Sequence, residues 1–416
     1  MALHVMEEAN RCLGCKVPQC QKGCPIATPI PEVIKLLKAN ELDKAGRLLF
    51  ENNPLTTVCS LICNHEGQCE GHCVLGRKGS PVHFSVIENY ISSTYASKMV
   101  KGPAPSNGMK VAIVGSGPAG LTIAILMARY GYQVTIFEGK DKIGGILRYG
   151  IPEFRLPKTI LDDIQYRHLE LKGIKIRPNT RIGDAIQVDD LFRDGYKAIF
   201  IGTGVWKANT LGIKGESFGN VHYAINYLNN PDVYKLGERV VVIGAGNAAM
   251  DVARTAMRHG TRHVTCFSLT KAITASQYEA SYAQLEGVEF AYNKKPIEIT
   301  DEGVIFRDLL EAEDGTLTEV EGSDTLVPAD SVIVSISQGP QNTITRTTNG
   351  LNASPRGLLL ADENGHTSRP GVFASGDAVN GAKTVVEAVA HSKIVAEAMH
   401  AYIHLVFSER GRAATV

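Results

Sequence analysis

Twice along this chain a short apolar run stops at a glycine-spaced turn and a helical pattern takes over. The first is Val111-Ala-Ile-Val114, then Gly115-Ser-Gly-Pro-Ala-Gly120, then a helical stretch from Ala119 to Tyr130, closed by Val134-Thr-Ile-Phe137. The second is Val240-Val-Val-Ile243, then Gly244-Ala-Gly-Asn-Ala-Ala249, a helical stretch from Ala248 to His259, and His263 to Phe267. Runs this short and this continuously apolar read as strands covered on both faces. Strand, helix, strand in that order makes a βαβ unit on a parallel sheet. Two such units predict an α/β chain with two Rossmann-type nucleotide-binding domains.

The turns carry chemistry. Gly115 makes the tight turn, Gly117 lets the backbone approach a pyrophosphate, and Gly120 lets the helix pack against the strand. Pro118 and Ala119 open that helix, whose N-terminus stabilises phosphate charge. Glu138 closes the second strand 23 residues after Gly115 and can accept hydrogen bonds from a ribose diol. Gly244, Gly246, Asn247 and Ala248 take the matching places in the second unit. There the strand runs into Phe267-Ser-Leu-Thr-Lys271, with no acid for a 2′-hydroxyl and no Arg for a 2′-phosphate. Lys271, or Ser268 and Thr270, is left to hold a phosphate, so the choice between NAD and NADP stays open. A third signal makes the first dinucleotide FAD. Ala374-Ser-Gly-Asp377 follows the apolar Val372-Phe373, and Lys383-Thr-Val-Val386 opens the last helical pattern. Gly376 and Asp377 can meet a ribitol hydroxyl. The helix start at Thr384, Val385 and Val386 can stabilise negative charge on a reduced flavin ring.

Eight of the nine cysteines lie between Cys12 and Cys73. They form Cys12-x2-Cys15-x4-Cys20-x3-Cys24-Pro25 and Cys59-x3-Cys63-x5-Cys69-x3-Cys73. A chain this long needs no disulfides to hold a core. The first group has the shape of the bacterial ferredoxin run with a longer middle gap, final Pro included. It predicts two iron–sulfur clusters sharing ligands across the two groups. Two zinc sites of four thiolates also fit the count, although zinc carries no electrons and a neighbouring flavin favours a redox metal. Cys266 reads as a small buried hydrophobe. No C-x-x-C accompanies it, which disfavours dithiol chemistry.

Lys+Arg and Asp+Glu are both 43, so the chain has no basic footprint for nucleic acid. No run of 18 apolar residues is present to span a membrane. Met1 to Arg11 carries Glu7 and Glu8 and no apolar h-region, so no secretory signal is read and a cytoplasmic location is expected. Residues 1–108 form the expected cysteine domain. Between its cysteines one helical pattern is expected from Pro31 to Asn53, and its end is the linker Lys101-Gly-Pro-Ala-Pro-Ser-Asn-Gly108. Residues 109–225 and 336–416 are expected to form the FAD domain, interrupted by an NAD(P)H domain at 226–335. The last quarter reads as strands at Ser331–Ile336 and Val372–Ala374 and a helix from Thr384 to about Leu405.

The order of these motifs, with Tyr149-Gly-Ile-Pro-Glu-Phe-Arg-Leu-Pro157, GAGNAAMD from Gly244 to Asp251 and SGDAVNGAKTVVEA from Ser375 to Ala388, resembles the glutamate synthase small-subunit family. That family includes the amino-terminal half of dihydropyrimidine dehydrogenase, its bacterial small subunit, and the large subunit of the NADH-dependent reduced ferredoxin:NADP oxidoreductase. The resemblance implies a helical N-terminal domain with two [4Fe-4S] clusters. One would use Cys12, Cys15, Cys20 and Cys73. The other would use Cys24, Cys63, Cys69 and Glu88, leaving Cys59 without a metal. It also implies a flavin ring held near Gly144, Gly145, Arg155, Asp377 and Val386. A hydride would pass between NAD(P)H and FAD, and single electrons would pass through the clusters, with no catalytic acid or base. Relatives that use NADPH carry Arg after the second strand of the nicotinamide fold, where this chain has Phe267 to Lys271. Clusters and nucleotide folds use up the chain, so the outlet is expected on a partner subunit. That partner would be of glutamate synthase, dihydropyrimidine dehydrogenase or ferredoxin-linked bifurcating type. A self-contained diaphorase reducing ferredoxin, and a docking subunit with an inactive nicotinamide site, are the alternatives.

Overall fold

Val111, Ala112, Ile113 and Val114 are all buried, as are Val134, Ile136 and Phe137 beside them. Strands without a polar face must be covered on both sides, and this pair lies at the centre of a parallel sheet. A computed structural model describes residues 2–98 and 102–413. Met1, Lys101 and Val416, which mark ends of the expected segments, lie outside the described residues. Strand β1 (Lys110–Val114) pairs with β2 (Gln133–Phe137) through Val111↔Val134 and Ile113↔Ile136. It pairs on its other side with β4 (Tyr196–Ile201). Beyond β2 lies β3 (Lys175–Arg177), and beyond β4 lies β10 (Val372–Ala374), all five strands parallel. Helix α6 (Pro118–Arg129) makes the crossover from β1 to β2. The chain leaves β1 towards β2 but leaves β4 towards β10. The carboxyl ends of β1 and β4 therefore part at a switch point, where parallel sheets bind ligands.

The backbone divides into two compact units. One is Met1–Arg148, Glu153–Val205 and Gly339–Val416; the other is Tyr149–Pro152 with Trp206–Gln338. The second unit repeats the first arrangement with β5 (Val221–Tyr223), β6 (Arg239–Ile243), β7 (His263–Phe267), β8 (Glu289–Ala291) and β9 (Ser331–Val334). Their order is β5-β9-β6-β7-β8, again all parallel, with helix α7 (Asn247–Arg258) between β6 and β7. The expected strand at 331–336 thus ends at Val334. A four-stranded antiparallel sheet over Lys294–Thr300, Gly303–Glu311, Leu317–Glu319 and Thr325–Pro328 is not anticipated by the sequence reading. Phe306 of that sheet stacks on Phe267 of β7, ring centroids 4.0 Å apart.

Among the described residues the N-terminal segment has helices and no strands, with α1 (Ala2–Asn10), α2 (Ile30–Lys38), α3 (Leu42–Asn52), α4 (Thr56–Ile62) and α5 (Phe84–Ala96) joined by irregular chain. The single helical pattern expected from Pro31 to Asn53 is two helices. Asn40 takes a left-handed φ of 60° between them, a conformation Asn tolerates better than most residues. Val33, Ile34, Leu49, Ile87 and Ile91 form the core between these helices. Helix α8 (Val385–Ala413) runs past the expected end at Leu405.

Candidate functional site: two glycine turns and a cysteine cavity

In the first unit each glycine of the turn has its own reason. Gly115 sits at φ 95°, and a Cβ there would lie 2.6 Å from the Gly202 carbonyl oxygen, on β4's side of the switch point. A Cβ on Gly120 would lie 2.0 Å from the Gly115 carbonyl oxygen, so only glycine lets α6 start this close to β1. Gly117 faces open space, with nothing within 4 Å of its Cβ position. That is the room a pyrophosphate needs. Pro118 and Ala119 form the first turn of α6 behind it.

Glu138, at the end of β2, is 7 % exposed. Its Oε2 accepts from the Ser116 N–H at 2.9 Å and from the Ser116 hydroxyl, and its Oε1 accepts from the Lys140 N–H at 2.8 Å. Each carboxylate oxygen has two lone pairs, so Oε1 keeps one for a ribose hydroxyl. The Gly144 N–H donates to the Ser116 carbonyl at 3.1 Å, and a Cβ on Gly145 would lie 2.8 Å from the Gly117 Cα. These two glycines therefore close the turn from one side. Gly376, at φ 69°, closes it from another, its Cβ position 3.0 Å from the Ala119 Cβ.

Asp377 follows. Burial pushes its carboxyl up to about 6, against a hydrogen bond from the Lys383 N–H at 3.2 Å. Thr384 and Glu387 then form a capping box. The Thr384 N–H and hydroxyl donate to Glu387 Oε2 at 3.0 and 2.5 Å, and the Glu387 N–H returns to Thr384 Oγ1 at 3.4 Å. The N–H groups of Val385 and Val386 belong to the first turn of α8, where helices have no internal acceptors. Arg155 is half-buried in the loop leading to Lys158. The site thus gathers Gly115 to Gly120, Glu138, Gly144, Gly145 and Gly376 around one opening.

The second unit is built alike. A Cβ on Gly244, at φ 131°, would lie 2.2 Å from the Ser335 carbonyl oxygen. Gly246 is open, with only Thr274 Oγ1 near, at 3.6 Å. The loop after β7 folds back over the turn. The Thr274 and Ala275 N–H groups donate to the Ala245 carbonyl at 3.0 and 2.9 Å, and the Ser276 N–H donates to Asn247 Oδ1 at 2.9 Å. Ala248 follows Asn247 in the first turn of α7. Ser268 is buried, its hydroxyl donating to the Ala272 carbonyl at 3.1 Å. Lys271 is exposed, and its N–H donates to Glu311 Oε2 at 2.7 Å. Sequence reading misses Ser335. Its Oγ is buried with no hydrogen-bond partner, on the wall of the crevice opposite Gly244. A buried hydroxyl left alone costs about 1–3 kcal/mol. The only sequence signal is a polar residue at the end of an apolar strand.

In the helical segment Cys12, Cys15, Cys20 and Cys73 line one cavity with Ile34, Leu75 and Phe84; Cys69 reaches the same wall. Burial pushes the Cys20 thiol up to about 11, and Cys73, Cys12 and Cys15 add to it. A thiol whose neighbours are three more thiols suits a metal, since deprotonation there needs a cation to offset it. A second group gathers around Glu88, which is fully buried on α5. Burial pushes its carboxyl up to about 7, against a hydrogen bond from Thr56 Oγ1 at 2.6 Å. Burial also raises the Cys69 thiol, with Glu88, Glu70 and Cys24 adding to it. A hydrogen bond with Cys59 comes first among the causes that raise Cys63, followed by burial. Among the described residues no three such side chains close on a single ion. A zinc site needs four sulfurs about 2.3 Å from one point. A [4Fe-4S] cluster takes each thiolate on a separate iron, so thiols spread around an apolar cavity suit it. Cys266 is fully buried on β7, its thiol raised by burial to about 12, as expected of an inert core residue.

Residues 109–392 match the pyridine nucleotide-disulphide oxidoreductase family, and residues 2–100 match the 4Fe-4S cluster domain II of dihydropyrimidine dehydrogenase. The chain is 34% identical to the glutamate synthase [NADPH] small chain of Escherichia coli (strain K12), over 94% of this chain and 89% of that protein. The chain belongs to the glutamate synthase small-chain family of pyridine nucleotide-disulphide oxidoreductases. It is an FAD-dependent NAD(P)H oxidoreductase with [4Fe-4S] ligation in its N-terminal segment. Another relative in this family is the NAD-dependent dihydropyrimidine dehydrogenase subunit PreT of the same strain, 29% identical over 97% of this chain and 95% of that one. Among solved structures, FprA from Mycobacterium tuberculosis (His57Gln mutant) shares the fold, with a TM-score of 0.63 and 18% identity over 74% of this chain and 86% of that one. Among the described residues no helix is long and apolar enough to cross a membrane.

Proposed function

We propose that this chain is the electron-transfer subunit of a larger cytoplasmic enzyme, linking NAD(P)H through FAD and two [4Fe-4S] clusters to a partner subunit. When bound, these groups supply hydride transfer at the nucleotide end and one-electron transfer at the cluster end. The observation that carries the reading is the gathering of the cysteines. Cys12, Cys15, Cys20, Cys73 and Cys69 line one cavity, and Cys69 in turn neighbours Cys24, Cys63 and Glu88, so two groups of ligands meet at Cys69.

The protein's own residues bind and orient. Gly117 leaves room for the flavin pyrophosphate, Glu138 accepts from its ribose, and Asp377 accepts from its ribitol once ionised. The N–H groups of Val385 and Val386 meet the negative charge of the reduced ring, with Gly144, Gly145 and Arg155 around it. Gly244, Gly246 and Asn247 carry the nicotinamide nucleotide, with Ser335 donating to it and Lys271 near its second ribose. Residues 1–108 bear the clusters, and 226–335 interrupts the FAD domain. The partner is inferred from two relatives, one named a small chain and the other a subunit. Its electron acceptor is of glutamate synthase, dihydropyrimidine dehydrogenase or ferredoxin-linked type.

The test is anaerobic titration of the purified chain with NADH and separately with NADPH, followed by visible absorbance and EPR, with dithionite to reveal low-potential clusters. Bleaching of the flavin by one nucleotide, with two sets of cluster signals, is expected. A flavin that responds to neither nucleotide overturns the hydride-entry role.

A further inference from the structure

Three hydrogen bonds run from the helix at the flavin site to a cluster cysteine. Lys393 lies on α8, eight residues past Val385 and so about 12 Å along that helix. Its Nζ donates to Asn52 Oδ1 at 3.0 Å. Asn52 Nδ2 donates to Thr28 Oγ1 at 3.3 Å. Thr28 Oγ1 lies 3.3 Å from Cys24 Sγ. Lysine has no acceptor, so the Asn52 amide must turn its oxygen to Lys393 and its nitrogen to Thr28. The amide proton then occupies a lone pair on Thr28 Oγ1 and leaves the hydroxyl proton for the sulfur. A metal-bound Cys24 is a thiolate and can only accept. Every donor along the chain therefore points at Cys24. Bonds aligned head to tail polarise one another, and here they begin at a cation.

We propose that Lys393, acting through Asn52 and Thr28, is a positioning residue that raises the reduction potential of the cluster bound by Cys24. The proposal rests on the reading of Cys24 as a ligand. Reduction adds negative charge to a cluster, and hydrogen bonds to its sulfurs raise its potential. Thr28 is 4 % exposed, so water does not replace its hydroxyl. Lys393 is half-buried; burial lowers its ammonium from the ordinary value and Arg129 adds to that, while Glu397 and Cys24 oppose it.

The test is an EPR-monitored redox titration of the full chain carrying flavin and clusters. Lys393→Met lowers the midpoint of one cluster, so that its reduced-to-oxidised ratio at a fixed potential falls about tenfold, 59 mV for a one-electron couple. The other cluster does not move. Thr28→Ala lowers the same midpoint, Thr28→Ser and Lys393→Arg hold it, and the double variant K393M/T28A falls no further than T28A alone. Unchanged midpoints in K393M and T28A, with full iron and flavin content, overturn the proposal. So does loss of iron from both variants, which makes the chain a structural brace. A wild-type chain without cluster signals, or a Cys24→Ser variant that keeps all its iron, instead overturns the ligand reading beneath it.

Discussion

Two neighbouring glycines do opposite things. At Gly120 an added methyl meets the Gly115 carbonyl at 2.0 Å; at Gly117 it meets nothing. Overpacking against a backbone atom that cannot yield falls at the upper end of its usual cost, about 3 kcal/mol. Gly120→Ala is therefore expected to lower the melting temperature of the flavin-free protein and to lose FAD. Gly117→Ala is expected to melt with the wild type when flavin-free and still lose FAD, because the methyl fills the space meant for phosphate. Melting curves with and without added FAD separate the two. Equal melting of both flavin-free variants contradicts the assignment. The spacing of glycines in the sequence suggests both roles, and the structure distinguishes them by what stands opposite each one.

Between elements, one contact of the N-terminal helices with the rest of their unit is an aromatic pair. Phe50, near the end of α3, stacks on His168 at 5.3 Å and 20°, and Arg129 Nη2 donates to the Phe50 carbonyl at 2.9 Å. Burial pushes the His168 imidazole down to about 4. Its unfolded value is near 6.5, so between these values the unfolded chain takes a proton that the folded chain refuses. The stability of a neutral His168 is complete above about pH 6.5 and is lost as pH falls towards 4, by up to about 3 kcal/mol. Chemical denaturation from pH 7.5 to 4.5 checks this, and His168→Phe should flatten the slope. An unchanged slope removes His168 from the account. This pair is not legible in the sequence, because Phe50 and His168 stand 118 residues apart with no shared motif. The βαβ units are legible almost to the residue, since each lies within 30 residues and its pattern is local. The antiparallel sheet from Lys294 to Pro328 is not, as its strands mix exposed and buried positions: Leu310 and Leu326 are exposed while Val304 and Phe306 are buried. The split at Asn40 hides for another reason, since apolar spacing continues across it and only one backbone angle breaks it.

At the scale of the molecule, the helices of residues 2–98 share their core with the cysteines. Side chains of Cys12, Cys20, Cys24 and Cys73 pack against the same core as Ile34 and Ile87. Helices α1 to α5 run from 7 to 13 residues, lengths that are marginal in isolation. Metal binding at such a site is folding free energy. Chelating the iron under reducing conditions is expected to open residues 2–98 to limited proteolysis while residues 110–205 stay protected and the flavin stays bound. Cleavage that does not change after iron removal means that the helices stand on their own packing.

The first sheet takes its last strand late. β4 ends at Ile201, and its partner β10 begins at Val372, with Trp206–Gln338 of the second unit between them. At a synthesis rate of 5–20 residues per second, β10 follows β4 from the ribosome by roughly 10–35 s. Through that interval the nascent chain exposes the apolar edge of β4, while the cysteine segment is already complete. On the proposed site, maturation has a built-in order: every cysteine of the N-terminal group leaves the ribosome before β10 and the helix that would close the flavin site, so a product truncated before Val372 is expected to keep its metal ligands and lack part of its flavin site.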